Sequence, residues 1–152
     1  MADTVTLAGE AREVALAETQ SVQAMMGEGD KRKRMNDLVA ALDEGEVDGE
    51  EARLLESVLE LGLQAGRIRA YYGPGGEQAA LATLRRLPRG RLRSESAREV
   101  SDALQTFSGR TLDSIRIAAV APGAFTLSVQ SGGVEASIRL DTTGARVVSL
   151  GT

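Results

Sequence analysis

From Glu10 onward the apolar side chains recur every three or four positions, which is the spacing of one face of an α-helix. Glycine, proline and capping residues interrupt this pattern and divide it into segments. We predict helices over Glu10–Met26, from Asp30 to Gly45, from Glu50 to about Tyr72, between Gly76 and Pro88, and from Ser94 or Ser96 to Gly109. The N-terminal half of the chain is therefore predicted to be helical.

After Gly109 the apolar residues alternate with polar ones, as expected of strands that bury one face. Short turn-like connectors separate the alternating segments, which indicates an antiparallel meander. The predicted inner face of this sheet includes Ile117, Phe125, Leu127, Ile138 and Leu140. Because the preceding helix is expected to cover that face, the predicted fold class is α+β: a helical N-terminal half followed by a helix packed on a 3–4-stranded antiparallel β-meander.

The change of spacing also predicts how the chain is divided. We expect a flexible N-terminus over residues 1–9, a helical region over residues 10–90, and a helix plus antiparallel meander over residues 91–152. The apolar side of the first helix is mostly alanine, which offers little area to bury. We therefore expect residues 10–26 to be mobile or bound to another chain.

Composition excludes several kinds of chemistry. The chain has no cysteine and no histidine, which excludes disulfides, thiolate zinc sites, cysteine nucleophiles and Ser-His-Asp catalysis. We predict no catalytic residue, no metal site and no cofactor, although an enzyme that uses two facing carboxylates stays open. No apolar run is long enough for a membrane span, and the N-terminus lacks the features of a secretory signal, so a cytoplasmic location is expected.

Two loops have some features of ligand sites. The glycines of Gly73–Gly76 precede a helix, as in phosphate-binding loops, but Glu77 follows where a Walker motif has lysine, and a helix rather than a strand comes before. An acidic stretch begins at Asp43, but Gly45 and Val47 occupy positions where a calcium loop needs oxygen ligands. We interpret both stretches as turns between helices.

Charge is distributed in two opposed blocks. Met35–Glu60 holds nine acids and one arginine, and Gly66–Arg98 holds eight arginines and two acids. The second block contains the predicted partner-binding residues, which are Arg85, Arg86, Arg89, Arg91 and Arg93. Pro88 and Gly90 are expected to interrupt the helix, so these arginines would lie on or beside an exposed connector. A protein partner or a second copy of the chain could supply the facing acids.

These features favour a small, cytoplasmic, non-enzymatic protein-interaction protein, such as an adaptor, a regulator or an assembly component, that self-associates. The alternative is a module that binds nucleic acid or another polyanion through the Arg-rich 85–93 connector. Nucleic acid is the less favoured partner, because aromatic residues for base stacking are scarce beside these arginines.

Overall fold

The predicted fold class is confirmed by a computed structural model, which describes residues 3–152. Within these residues the chain forms five α-helices followed by a four-stranded antiparallel meander. The helices are α1 (Gly9–Met25), α2 (Asp30–Glu44), α3 (Gly49–Gln64), α4 (Arg67–Arg86) and α5 (Pro88–Leu104). The strands are β1 (Val5–Thr6), β2 (Glu46–Val47), β3 (Ser114–Ala121), β4 (Ala124–Ser131), β5 (Val134–Asp141) and β6 (Gly144–Gly151). None of the helices in the described part is long and apolar enough to cross a membrane.

The chain divides into two compact units. The first ends at Arg91 and the second spans Leu92–Thr152, so α5 contributes residues to both units. The first unit contains α1 to α4 around an aliphatic core, and the second contains most of α5 and the meander. Each unit thus has its own buried cluster.

The first helix is packed in its own unit, so the expectation that residues 10–26 are mobile or held by another chain is wrong. Val14 and Ala15 are buried in the core that α1 shares with the other helices of the unit. The apolar stripe is thin, but Glu18 and Thr19 are also buried on that side of the helix. The buried face of α1 therefore includes polar residues and is wider than the spacing of its apolar residues indicates.

The N-terminal segment is also more ordered than the flexible stretch expected over residues 1–9, of which residues 1 and 2 lie outside the described part. Val5 pairs with Val47 in a short antiparallel ladder between β1 and β2. Val5 and Leu7 are buried in the core of the first unit. The alternation of Val5, Thr6 and Leu7 puts both apolar side chains on one side of an extended segment.

The boundary between α3 and α4 lies earlier than the pattern of apolar residues predicts. Gly66 has a φ of 71° and separates the two helices, where a single helix to about Tyr72 is expected. Helix α4 then runs through Pro74 with one break at Gly73, whose φ of 70° and ψ of −173° are not helical. Gly73 therefore breaks the helical run, in agreement with the interpretation of this stretch as a turn between helices.

Helix α5 starts at Pro88, six residues before the earlier of its two predicted starts, Ser94. Proline is favoured in the first turn of a helix, because its missing N–H has no partner there in any case. Pro88 therefore begins α5. The description of residues 85–93 as a connector is wrong, since they are the end of one helix and the first turns of the next. Four of the five arginines are exposed, as expected.

The meander has the strand order β3-β4-β5-β6, and neighbouring strands are antiparallel. The register puts Ile117 opposite Leu127, and Leu127 opposite Ile138, so the apolar residues of successive strands share one face. Phe107, in a 3-10 turn directly after α5, packs with Leu104 against Val129 and Ala136 on the two central strands. This contact joins α5 to the sheet.

Burial of the apolar face is uneven across the sheet. Ile138 is fully buried and Leu127 and Leu140 are partly buried, in agreement with the predicted inner face. Ile117 is 62% exposed and Phe125 is 41% exposed, so for these two residues the predicted burial is wrong. They share the apolar face but lie beyond the part that is covered.

Candidate interaction surface

An exposed apolar surface lies on the first hairpin of the meander. It consists of Ile115, Ile117 and Phe125, which we call the β3 patch. Ile115 is 60% exposed, nearly the same as Ile117. The register puts Phe125 opposite Ala119, on the same face of the sheet as both isoleucines. Exposed apolar side chains that share one face make this surface a candidate for binding another molecule.

The contacts at the end of α5 show which part of the apolar face is covered. Leu104 and Phe107 pack against Val129 and Ala136, which lie on the central strands β4 and β5. No residue of β3 belongs to this buried cluster. The outer strands β3 and β6 keep exposed apolar side chains, among them Ile117 on β3 and Leu150 on β6.

The two edges of the sheet differ in regularity. From Ser114 to Ala119 strand β3 pairs with β4 without interruption, and a register shift follows only at Ala121. Strand β6 has a register shift in its middle, where Val148 is an extra residue between the partners of Ile138 and Ser137. Bulges of this kind protect free edges from pairing with other chains, and β3 lacks one over its first six residues.

The hairpin has little of the charge that usually protects an exposed edge. Arg116 is the sole charged residue between Ser114 and Ser131. Its side chain belongs to the opposite face from Ile115 and Ile117, because successive residues of a strand point to opposite faces. The apolar side of β3 is therefore uncharged along its whole length.

The predicted partner-binding arginines do not form one site. Arg85 and Arg86 are exposed at the end of α4. Arg91 forms an ion pair with Asp3, and a hydrogen bond from Arg91 lowers the pKa of that carboxyl. Arg93 lies in the second unit, where its Cγ is 3.6 Å from the position of a Cβ atom added at Gly144. Partner binding by these residues stays a prediction.

Arg89 lies at a buried carboxylate that the sequence pattern does not reveal. Glu56 of α3 is fully buried and accepts hydrogen bonds from the backbone N–H groups of Arg89, at 3.2 Å, and Gly90, at 2.9 Å. The guanidinium Nε of Arg89 is 3.3 Å from the same carboxylate, and its Nη2 is 3.4 Å from Glu60. The carboxylate of Glu56 thus satisfies two amides at the positive end of α5.

Nothing in the sequence distinguishes Glu56 from the other acids of α3. The start of α5 could have been predicted, because proline is favoured in the first turn of a helix. The acidic block Met35–Glu60 supplies two partners to Arg89 from inside the first unit, Glu56 and Glu60. At Arg89 the acidic block and the arginine block of the chain therefore pair with each other.

A second buried carboxylate is also held by a cation. Glu18 of α1 is 2.7 Å from Nη2 of Arg67 on α4. Burial raises the pKa of Tyr72, and the nearby Glu18 carboxylate raises it further. A Cβ atom at Gly62 would lie 2.8 Å from Oε2 of Glu18, so the close approach of α3 depends on glycine there. The group joins three helices of the first unit.

An open cleft of about 260 Å³ lies on the first unit, between α2 and α3. Its lining includes Asp37, Glu50 and Glu51 together with Arg34 and Arg53, so positive and negative charges nearly balance. Over residues 3–152 no group of three or more Asp, Glu, His or Cys side chains could hold a metal ion.

No family model, curated protein or solved structure matches this chain. Inference about its function therefore rests on its own surfaces.

Proposed function

We propose that the protein is a small, cytoplasmic, non-enzymatic protein-interaction protein, an adaptor, regulator or assembly component, and that it self-associates through the β3 patch. The observation that carries the proposal is the exposure of Ile115 and Ile117 on an edge strand that is regular from Ser114 to Ala119, beside the exposed Phe125 of β4. The residue types most used in catalysis and metal binding, histidine and cysteine, are missing from the sequence, which supports a role in binding.

The charge of the second unit supports a second copy as the partner. Residues 92–152 contain six arginines and six carboxylate side chains, so their formal charges cancel. The net charge of −4 of the whole chain therefore comes from the first unit. Two copies of the second unit can approach without net repulsion, whereas a strongly charged partner would find no complementary charge on the β3 patch.

Two matched substitutions test the proposal. Ile117→Lys places a charge in the β3 patch, and Val148→Lys places the same charge at an apolar residue of equal exposure, 61%, on the opposite edge strand. We expect the unchanged protein to form dimers in sedimentation equilibrium at about 100 μM, in the range of moderate-affinity association. Ile117→Lys should be monomeric at that concentration, and Val148→Lys should remain dimeric.

Circular dichroism and thermal unfolding of both variants serve as folding controls, since both positions are largely exposed. A monomeric unchanged protein at all accessible concentrations would overturn self-association. Dissociation by Val148→Lys and not by Ile117→Lys would assign the interface to β6 and overturn the β3 patch.

A further inference from the structure

We infer that two copies of the chain pair β3 with β3, antiparallel and centred on Ile117, to form one continuous eight-stranded sheet from two four-stranded ones. This inference rests on the proposed self-association and specifies its geometry. An edge strand presents unpaired N–H and C=O groups that a second strand can satisfy. In β3 these groups and the exposed apolar side chains occur on the same six regular residues, Ser114–Ala119.

Edge pairing fits the patch better than stacking of two apolar faces. The middle of the apolar face is already occupied, because Phe107 and Leu104 pack against Val129 and Ala136. A second sheet laid over this face would have to displace them. Pairing at the edge leaves α5 and the 3-10 turn in place and brings the exposed side chains of two copies side by side.

The register follows from the twofold symmetry of a homodimer and from two properties of β3. In a symmetric antiparallel pair one residue lies opposite its own copy. A centre at Arg116 would place two arginines directly opposite each other, which is unfavourable. A centre at Ala118 would leave only three regular residues in the ladder, because the register shift follows Ala119.

A centre at Ile117 avoids both problems. The regular ladder then extends symmetrically from Ile115 to Ala119, with Ile115 of one copy opposite Ala119 of the second copy. Arg116 lies opposite Ala118 of the second copy, so no like charges meet. The two Ile117 side chains contact each other at the centre, on the same face as Phe125.

The absence of cysteine from the sequence makes this register directly testable. In the proposed pair the two Ile117 Cα atoms lie about 4.5–5.5 Å apart, which is within the range of a disulfide, roughly 4.4–6.8 Å. The two Ile115 residues are four residues out of register, which separates them by about 13 Å along the strands. Ile117→Cys and Ile115→Cys have the same face and nearly the same exposure, so they form a matched pair.

We expect mild oxidation at dimer concentrations to link most of the Ile117→Cys chains into disulfide dimers, and Ile115→Cys at least tenfold more slowly. As a second measurement, hydrogen exchange at residues 114–119 of the unchanged protein should slow on going from dilute monomer to dimer. Equal cross-linking of the two variants, or unchanged exchange at β3 in a protein that does dimerise, would overturn the β3 pairing and leave self-association standing. A protein that never dimerises would overturn the proposed function itself.

Discussion

At the scale of single residues, the carboxylate of Glu56 determines how α5 begins. The residue is fully buried and accepts two backbone N–H groups from the first turn of α5. Gly90 permits α5 to pass close to the end of α4, since a Cβ atom there would lie 1.7 Å from the backbone oxygen of Leu84. The start of α5 therefore depends on a glycine in its own first turn and on a carboxylate from α3, and the carboxylate is distant in sequence from the residues that capping rules inspect.

Replacing Glu56 with glutamine should lower the free energy of unfolding by about 2 kcal/mol. A glutamine oxygen can accept one of the two amides, but its NH₂ group would face the other donor. Glu60→Gln is the control, because Glu60 reaches the same Arg89 at 3.4 Å from a partly exposed position and an ion pair of that kind contributes less than about 1 kcal/mol. Urea denaturation of both variants measures the difference, and equal losses would contradict the capping role of Glu56.

At the scale of secondary-structure elements, the two phenylalanines of the chain report on how far α5 and its following turn cover the sheet. Phe107 is 7% exposed and contacts the central strands, whereas Phe125 projects from the same sheet at 41% exposure. Phe107→Ala should cost about 3 kcal/mol through the cavity it leaves, and Phe125→Ala less than about 1 kcal/mol. Denaturant unfolding at dilute, monomeric concentration measures both, and a larger loss at Phe125 would mean that its side chain is covered.

The period of the apolar residues was sufficient to predict the meander, because alternation determines which residues share a face. It could not predict which of them are buried, since that depends on which strands Leu104 and Phe107 contact. Helix ends were less predictable. By its place after the apolar spacing Pro88 is expected to end a helix, whereas in the structure it begins α5. The apolar spacing continues across Gly66, where the structure separates α3 from α4.

The arginine cluster and the β3 patch were also predictable only in part, because both depend on how distant segments pack together. The sequence drew attention to Arg89 and Arg91 as a cluster, but the acids that pair with them come from distant positions, Glu56 and Asp3. Such ion pairs are determined by tertiary packing and cannot be predicted from the spacing of residues along the chain. The apolar face of β3 was predicted correctly as a face and wrongly as a buried one.

At the scale of the whole molecule, the net charge is confined to the first unit. The second unit is formally neutral and the first carries the net charge of −4. Arg89 and Arg91 pair with acids of the first unit, so the arginine cluster is partly neutralised before any partner arrives.

We therefore expect no saturable binding of RNA or DNA at about 0.15 M salt. Fluorescence anisotropy with labelled single-stranded and duplex oligonucleotides measures this, and Arg85→Ser combined with Arg86→Ser serves as the comparison, since both residues are exposed. Binding that is lost in the double variant and falls steeply with salt would favour the polyanion alternative over a protein partner.

In the β3 pairing proposed above, the extra residue in β6 would limit the size to which assemblies grow. A sheet with two equally receptive edges could join head to tail without end, and would form filaments instead of closed pairs. Here Val148 interrupts the ladder in the middle of one edge, while the other edge is regular from Ser114 to Ala119. When two β3 strands pair, both regular edges lie inside the joined sheet. Only the interrupted β6 strands then remain at its free edges. A chain lacking Val148 would present two regular edges, and its end state would be a fibre.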